Sequence, residues 1–329
     1  MGKCRGVALI TVMLLVALAA IIATQMLARL QLQTQRTTNI ALNQQAYWYA
    51  MGAEAFAKRV LTVAFEGEPN ITHLEQIWAQ GETSYPVELG SITGEISDQQ
   101  ACLNLNALYN EPNTTLTTVQ KSTARESFER LIIALNIEDI GSSEFEAELL
   151  GDSLTDWLDS DSSLSSAGGA EDNDYAGKEH SYLAANSYLA SVNELRVIEN
   201  FNLTIINAIK PFVCVLPRTD LHQININTLS SEQPELLQAL LNITAVDAQE
   251  ILALRPEEGF QKADTFCNLP EVKALNIDEK LKDQFVVDSE YFTLKASANF
   301  NNSYFAMRSV LNVINNKQII VASRTIGRN

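Results

Sequence analysis

Histidine is nearly absent from this 329-residue chain: only His73, His180 and His222 occur, too few for a multi-histidine metal centre. Each stands among polar residues, and ordinary surface positions are expected for all three. The recurrent catalytic signatures are missing as well. There is no Gly-x-Ser-x-Gly elbow, no His-Glu-x-x-His helix and no phosphate-binding glycine loop. Positive charge is in short supply, with 23 basic against 40 acidic side chains and a formal charge of −17. Such a surface repels a phosphate backbone unless the few bases cluster, so no nucleic-acid partner is expected. What the chain does have is apolar content. With 46% hydrophobic and 19% charged residues, it can build one or two ordinary domains with real cores.

Much of that apolar content is spent at the N-terminus. No charged residue occurs from Val7 to Thr24, and the apolar character continues to Ala28 before Arg29 interrupts it. About 20 apolar residues suffice to cross a bilayer as a helix. Lys3 and Arg5, in the short head before Val7, hold that head in the cytoplasm and send the remainder outward. A cleaved secretory signal, cut somewhere near Ala19 to Thr24, is the alternative. Against it, the apolar stretch exceeds a usual signal core, and the chain beyond does not break into a loop. Leu30 to Phe65 contains no proline and one glycine, Gly52, so the membrane helix is expected to run on into solvent to about Glu66. That makes a rod of roughly 90 Å at about 1.5 Å per residue. Its outer half is amphipathic: Tyr49, Ala53, Phe56, Val60 and Val63 recur at spacings of four and three, a stripe that must lie on something. A coiled-coil seam is the other use for such a stripe, but this one lasts barely two heptads.

The basic leader ending in Gly6, the apolar helix opening at Val7, and the continuation Gln45-Ala46-Tyr47-Trp48-Tyr49-Ala50-Met51-Gly52-Ala53-Glu54 together resemble a type IV pilin-like prepilin. Within that superfamily the chain is most similar to the K-type minor pseudopilins of the bacterial type II secretion system. The resemblance implies that a prepilin peptidase cuts between Gly6 and Val7 and methylates the new amine. It further implies an inner-membrane anchor with a periplasmic head, and I-type and J-type minor pseudopilins as partners. Most pilins carry a glutamate five residues into the mature chain, paired with the terminal amine of a neighbour; here Thr11 stands at that position. A carboxylate in lipid is costly unless paired, and a subunit at a filament tip has no neighbour above it to supply the amine. Thr11 is equally compatible with any membrane helix.

The exported part switches period several times. Pro86 to Leu89 and Ser91 to Ile96 read as short strands. Ser122 to Leu150 and Ser191 to Pro211 carry helical spacing, the latter opened by a Ser191/Glu194 capping box. Phe292, Leu294, Ala296 and Ala298 alternate with polar residues, and Tyr304 to Ile314 and Gln318 to Ser323 follow as an antiparallel meander. The fold class expected is α+β: a long pilin-like N-terminal helix packed on an antiparallel sheet, with a large inserted all-α domain and helix-hairpin-helix-like or SAM-like helical units. The expected divisions are a leader at 1–6, a membrane helix at 7–28, a helix extension with the first strands at 29–100, the helical insertion at 101–210, and return strands with a second helical unit and the closing strands at 211–329. Leu103-Asn104-Leu105-Asn106 echoes Ile224-Asn225-Ile226-Asn227 as a weak internal repeat. The second copy leads into the helix-hairpin-helix-like unit. Its turn lacks glycine and its surroundings are acidic, so it is expected to serve as packing rather than phosphate binding.

The sharpest local feature is acidic. Asp156-Trp157-Leu158-Asp159-Ser160-Asp161 is followed by Gly168-Gly169-Ala170-Glu171-Asp172-Asn173-Asp174. Crowded carboxylates repel one another unless solvent or a cation relieves them, and Ca²⁺ accepts six to eight such oxygens. The spacing is not that of an EF-hand, and a solvated acidic face is the alternative. K-type pseudopilins look like calcium-stabilised proteins, and the resemblance implies a structural Ca²⁺ held best by Asp159, Asp161, Glu171 and Asp174. Asp156 and Asp172 follow less directly, since either can cap a helix. A glycosidase pair would want a run of substrate-binding aromatics beside the acids, and none is there.

Once Cys4 has left with the leader, an oxidising periplasm allows one disulfide among Cys102, Cys214 and Cys267. Cys102 with Cys214 is favoured, because both flank the insertion and a bridge would close its neck; Cys214 with Cys267 is the alternative. The resulting expectation is a non-enzymatic minor pseudopilin capping the pseudopilus tip in protein export. A membrane-tethered periplasmic enzyme using the acidic cluster is the competing reading. Competence-type DNA capture is disfavoured by charge.

Overall fold

The computed structural model describes residues 7–88, 90–109, 121–138, 140–300, 303–314 and 318–327; Gly6 and the rest of the leader lie outside them. Helix α1 runs unbroken from Val7 to Gly67, which at about 1.5 Å per residue is roughly 90 Å long. Nothing in its sequence stops it before the Gly67-Glu68-Pro69 break. Its first half is exposed throughout, and its large apolar side chains from Leu9 to Leu32 touch none of the sheet or helical body. It is the one helix among the described residues that is long and apolar enough to cross a membrane.

The second half of α1 lies on a five-stranded antiparallel sheet in the order β1-β2-β7-β8-β9. The strands are β1 (Thr83–Val87), β2 (Gly90–Asp98), β7 (Tyr291–Phe300), β8 (Ser303–Ile314) and β9 (Gln318–Ile326). The face of α1 against the sheet is made of Ala46, Ala50, Ala57, Leu61, Ala64 and Phe65, with Phe292, Leu294, Ala296, Met307, Leu311 and Val313 opposite. Alanines let the helix approach the strands closely, so the bulky members of the expected stripe fall to the flanks. Tyr49 stacks on Phe300 with centroids 4.6 Å apart. Phe56 is 54% exposed and meets Tyr85 edge-on at 5.9 Å. Phe56 therefore belongs to the rim of the contact, not its centre.

Between β2 and β7 the chain leaves the sheet for a helical body. It contains β3 (Leu103–Asn104), α2 (Thr123–Leu135), α3 (Glu144–Leu158), α4 (Asp172–Ala176), α5 (Leu203–Ile209) and β4 (Val213–Cys214). These are followed by β5 (Ile224–Asn225), α6 (Glu235–Leu241), α7 (Ala245–Ala253), α8 (Ala263–Cys267), α9 (Pro270–Lys273), α10 (Glu279–Lys282) and β6 (Phe285–Val286). The expected helix over Ser122 to Leu150 is two helices, because Asn136 takes a left-handed φ of 44° and closes α2. Likewise the Ser191/Glu194 capping box starts only a 3-10 turn, Val192–Val197, before Asn202 caps α5.

Both Asn-apolar-Asn repeats do the same job. Asn104 donates to Thr219 O and Leu221 O at 3.0 Å and accepts from Leu216 N. Asn225 donates to Thr72 O at 3.1 Å and to Ser289 Oγ at 2.8 Å. Each repeat lies in or beside a short parallel strand pair, β3 with β4 and β5 with β6, that closes one helical unit. The two units share a single core running from Leu103 to Phe285.

The body joins the sheet at one end only. Phe300 sits beside Ala46 and Tyr49 on α1, whereas Phe292 sits beside Phe65. The strand ends that carry the body, Asp98 and Tyr291, therefore lie next to the C-terminus of α1, farthest from the apolar segment. Asp98 seals this junction from full burial, accepting from Thr228 Oγ1 and Ser289 Oγ at 2.6 Å and from Gln100 N at 2.8 Å. Cys102 and Cys214 are bonded to each other, their Cα atoms 5.8 Å apart, at the base of the body. Cys267 is free and half-buried against the shared core.

Two of the three histidines are not on the surface. His73 is buried, with Nε2 2.9 Å from Glu68 Oε2, just past the end of α1. Burial drives the His222 imidazole down to about 4, so it is neutral at physiological pH. Thr72 and Gln76, polar sequence neighbours of His73, supply hydrogen bonds to a junction that folding buries.

Candidate functional site

The acidic segment is half helix and half loop. Helix α3 carries Asp156 in its last turn and ends at Asp159, whose φ of −71° and ψ of 168° are extended. The loop returns through Gly168 and Gly169 to Glu171, which precedes α4. Asp156, Asp159 and Glu171 converge so that one carboxylate oxygen of each lies within 4.8 Å of the others, and all three residues are buried. Ser165 N donates to Asp156 Oδ1 at 3.1 Å, and Ser165 Oγ lies 3.5 Å from Asp159 Oδ2. Four oxygens are left without a hydrogen-bond partner: Asp156 Oδ2, Asp159 Oδ1 and both oxygens of Glu171.

Three buried carboxylates facing one another cannot all stay ionised cheaply. Burial, then the charges of Asp161 and Asp156, push Asp159 up to about 6. Burial, then Asp156 and Asp159, push Glu171 up to about 7. Burial raises Asp156 as well. A hard cation removes both penalties at once, supplying positive charge and occupying the orphaned oxygens. The donor set is oxygen only, with no imidazole or thiolate, which fits Ca²⁺ and not zinc. Two groups hold the site in shape. A Cβ at Gly169 would collide with Asp156 Oδ2, so the returning loop must be bare there. The aromatic group Trp157, Tyr175 and Tyr182 packs alongside, with centroids 5.1–6.4 Å apart.

The other expected ligands are placed differently. Asp174 is exposed and accepts from Glu171 N at 3.0 Å, a capping role. Asp161 accepts from Ser163 N at 2.7 Å and Asp172 from Ala184 N at 3.1 Å, each bracing the loop. Asp156, a less direct candidate in the sequence because it can cap a helix, is a member of the cluster, because it lies within α3 and three residues bring Asp159 onto the same side. Gly169 and Ser165 were missed, and no local signal marks them; the paired glycines hint only at a tight approach.

A short way back along α3 a second charged set locks the helix to α2. Arg125 Nε donates to Glu129 at 2.9 Å, Arg125 also bonds Asp152, and Lys121 bridges Glu129 and Glu148 at 2.8 Å. The cation-type cluster is thus anchored to the core of the helical body and not to a free loop.

Residues 101–218 and 224–288 each match a family described as type II secretion system (T2SS), protein K. The type II secretion system protein K of Aeromonas hydrophila is 34% identical over 94% of this chain and 94% of its own length. That of Klebsiella pneumoniae is 33% identical over 93% and 92%. The chain belongs to the type II secretion system protein K family. A crystal structure of the GspK-GspI-GspJ complex from enterotoxigenic Escherichia coli matches with a TM-score of 0.78 at 32% identity, covering 89% of this chain and all of that one. The pilin-like helix on its sheet and the large helical insertion are therefore the architecture of the protein K family. In that solved complex the protein K subunit assembles with GspI and GspJ.

At the other end of the molecule, the hydroxyl of Thr11 bonds back to Ala8 O at 2.9 Å, so this polar side chain is satisfied within α1. Val7 opens α1 at the start of the described residues.

Proposed function

We propose that this chain is a non-enzymatic minor pseudopilin at the tip of the periplasmic pseudopilus, where it takes part in protein export. The observation that carries the proposal is the attachment of the helical body. It joins the sheet beside the C-terminal end of α1, as far as the chain allows from the apolar segment by which subunits stack. A head with that body above it leaves room for neighbours beside and below, not above. Thr11 supports the same reading, since a subunit with nothing above it has no terminal amine to pair.

On this reading Lys3 and Arg5 stay in the cytoplasm, α1 waits in the inner membrane, and the head lies in the periplasm. Prepilin peptidase cuts between Gly6 and Val7. The partners are I-type and J-type minor pseudopilins, approaching along the outward face of α1, where Ile40, Trp48, Phe56 and Val63 remain exposed. Asp156, Asp159 and Glu171 hold a structural Ca²⁺ that fixes the loop between α3 and α4. No nucleic acid takes part.

Labelling the head in assembled filaments tests the position. Label at one end of each filament is expected, and label repeated along the shaft would refute it. Gly6→Val should leave the leader uncut and abolish incorporation; a membrane-tethered enzyme would be indifferent to that change.

A further inference from the structure

Glycine weakens the interior of a helix relative to alanine, so a glycine there calls for a reason. In α1 it occurs once before the terminal Gly67, at Gly52. Nothing within the chain supplies the reason. Gly52 is helical and exposed, and a Cβ placed on it would meet no atom within 4 Å.

Gly52 opens onto a hollow of about 360 Å³ between α1 and the β1–β2 hairpin, lined by Trp48, Phe56, Val60, Ile77, Trp78 and Tyr85. A second glycine, Gly94 of β2, leaves it bare on the sheet side, where a Cβ would meet only the end of Leu294 at 3.9 Å. Trp48, Phe56, Ile77 and Tyr85 are 47–68% exposed around the hollow. Large apolar side chains gathered about an open cleft, on a molecule of net charge −17, mark a contact surface.

The shape of the cleft selects what fits it. Its lining runs along α1 from Trp48 to Val60, about 18 Å, so the occupant is long and lies beside the helix. The neighbouring sheet edge is a poor template for an added strand, because Pro86 leaves β1 without a backbone donor at that position. A small residue on a helix surface is how a second helix comes close, with a bulky side chain of its own seated over the gap.

We propose that this cleft is a socket for the N-terminal helix of a neighbouring pilin-like subunit, which seats one large apolar side chain over Gly52. The inference rests on the partner reading above, since a neighbour anchored in the same membrane brings its helix up parallel to α1. To that reading it adds the residue that sets the contact: Gly52 gives up helix stability in return for a close approach.

The test uses the full chain in detergent, co-expressed with I-type and J-type minor pseudopilins, and compares Gly52→Ala and Gly52→Leu. Stability and association should move in opposite directions. Without partners, both variants should melt no lower than the unsubstituted chain, and Gly52→Ala slightly higher, because the position has room and the helix gains. Association with one of the two partners should weaken about tenfold or more in Gly52→Leu, and less in Gly52→Ala. A photocrosslinker at Tyr85 should capture the N-terminal helix of that partner, identified by mass mapping of the joined peptides, and Gly52→Leu should remove the crosslink. Undiminished association of Gly52→Leu would overturn the socket and leave the partner reading standing, whereas an unsubstituted chain that binds neither partner would overturn both. Crosslinks to a partner's strands or loops, to detergent or lipid, or only within the chain itself would also overturn the socket. So would a lower melting temperature in both variants, which would mean that the fold itself needs the glycine.

Discussion

Asp156, Asp159 and Glu171 set the sign of two linked responses. In the absence of a cation the folded pKa values of Asp159 and Glu171, about 6 and about 7, lie above their ordinary values of 3.8 and 4.5. Their protonation therefore favours the folded state: its contribution is fully present below about pH 4 and is lost as pH rises through 6 and 7. Calcium bound as proposed would reverse this, because it takes only the ionised carboxylates. Thermal unfolding should show a Ca²⁺-dependent rise in midpoint that is large at pH 8 and small at pH 5, worth about 2.7 kcal/mol at a hundredfold excess over Kd. Calorimetry near pH 6.5 should detect proton release on binding. Asp156→Asn and Glu171→Gln should each remove the Ca²⁺ response, and both should raise the cation-free midpoint at pH 8. By contrast Asp174→Asn, which touches only a cap, should keep the response. Gly169→Ala pushes a methyl into Asp156 Oδ2 and should lose the response while costing about 1–3 kcal/mol in overpacking. An unchanged midpoint in wild-type protein over millimolar calcium would remove the metal from the account.

Among the elements, α1 and the closing meander could be read directly from period, because a helix without proline and strands with strict alternation leave little competition. The helical body was harder. Asn136 ends α2 by adopting a left-handed backbone, a choice that Asn makes easily but that helical spacing does not reveal. The acid cluster was half readable: crowding of carboxylates pointed to the segment, but which ones converge depends on where α3 stops, and that put Asp156 inside and Asp174 outside. Glu54 had no sequence signal as a buried residue: Lys58, 3.7 Å away at i+4, is what an exposed helix face also shows, and its hydrogen-bond partners are some 255 and 270 positions away. It fastens β9 to α1 through two bonds from Arg324, at 2.8 and 2.9 Å, and one from Ser309. Burial alone would raise its pKa, but these donors hold it below the ordinary glutamate value, so the latch is lost only as pH falls through that lowered pKa. Glu54→Ala should destabilise the sheet domain by about 1.5–3 kcal/mol, with faster amide exchange concentrated in β9. Exchange unchanged in β9 would show the latch to be dispensable. The disulfide acts on the other unit: its 112-residue separation makes Cys102→Ala with Cys214→Ala worth about 2–5 kcal/mol, felt in the helical body.

At the scale of the molecule there are two cores that meet at a narrow neck. The pilin-like layer packs Leu61, Phe65, Phe292 and Leu311 around α1, and none of these belongs to the larger core of the helical body. Asp98 and Phe292 face one another across β2 and β7, and Gln99 N still bonds Tyr291 O at 2.9 Å. The strand ends are thus already in hairpin register without the body. Residues 100–290 can accordingly be replaced by a two-residue Asn-Gly turn joining Gln99 to Tyr291, with Asp98→Ser because its partners leave, and Val310→Thr because its cover leaves. The shortened chain should fold as a small pilin head, seen as an intact sheet by amide exchange. If bulk beyond the end of α1 is what restricts the full-length chain to a tip, the shortened head no longer bars a subunit from stacking above it. Labelled copies should then appear along the filament shaft as well as at its end. A well-folded shortened head that still labels only the tip would mean that position is set within α1, by Thr11 and the exposed apolar face, and not by the size of what it carries.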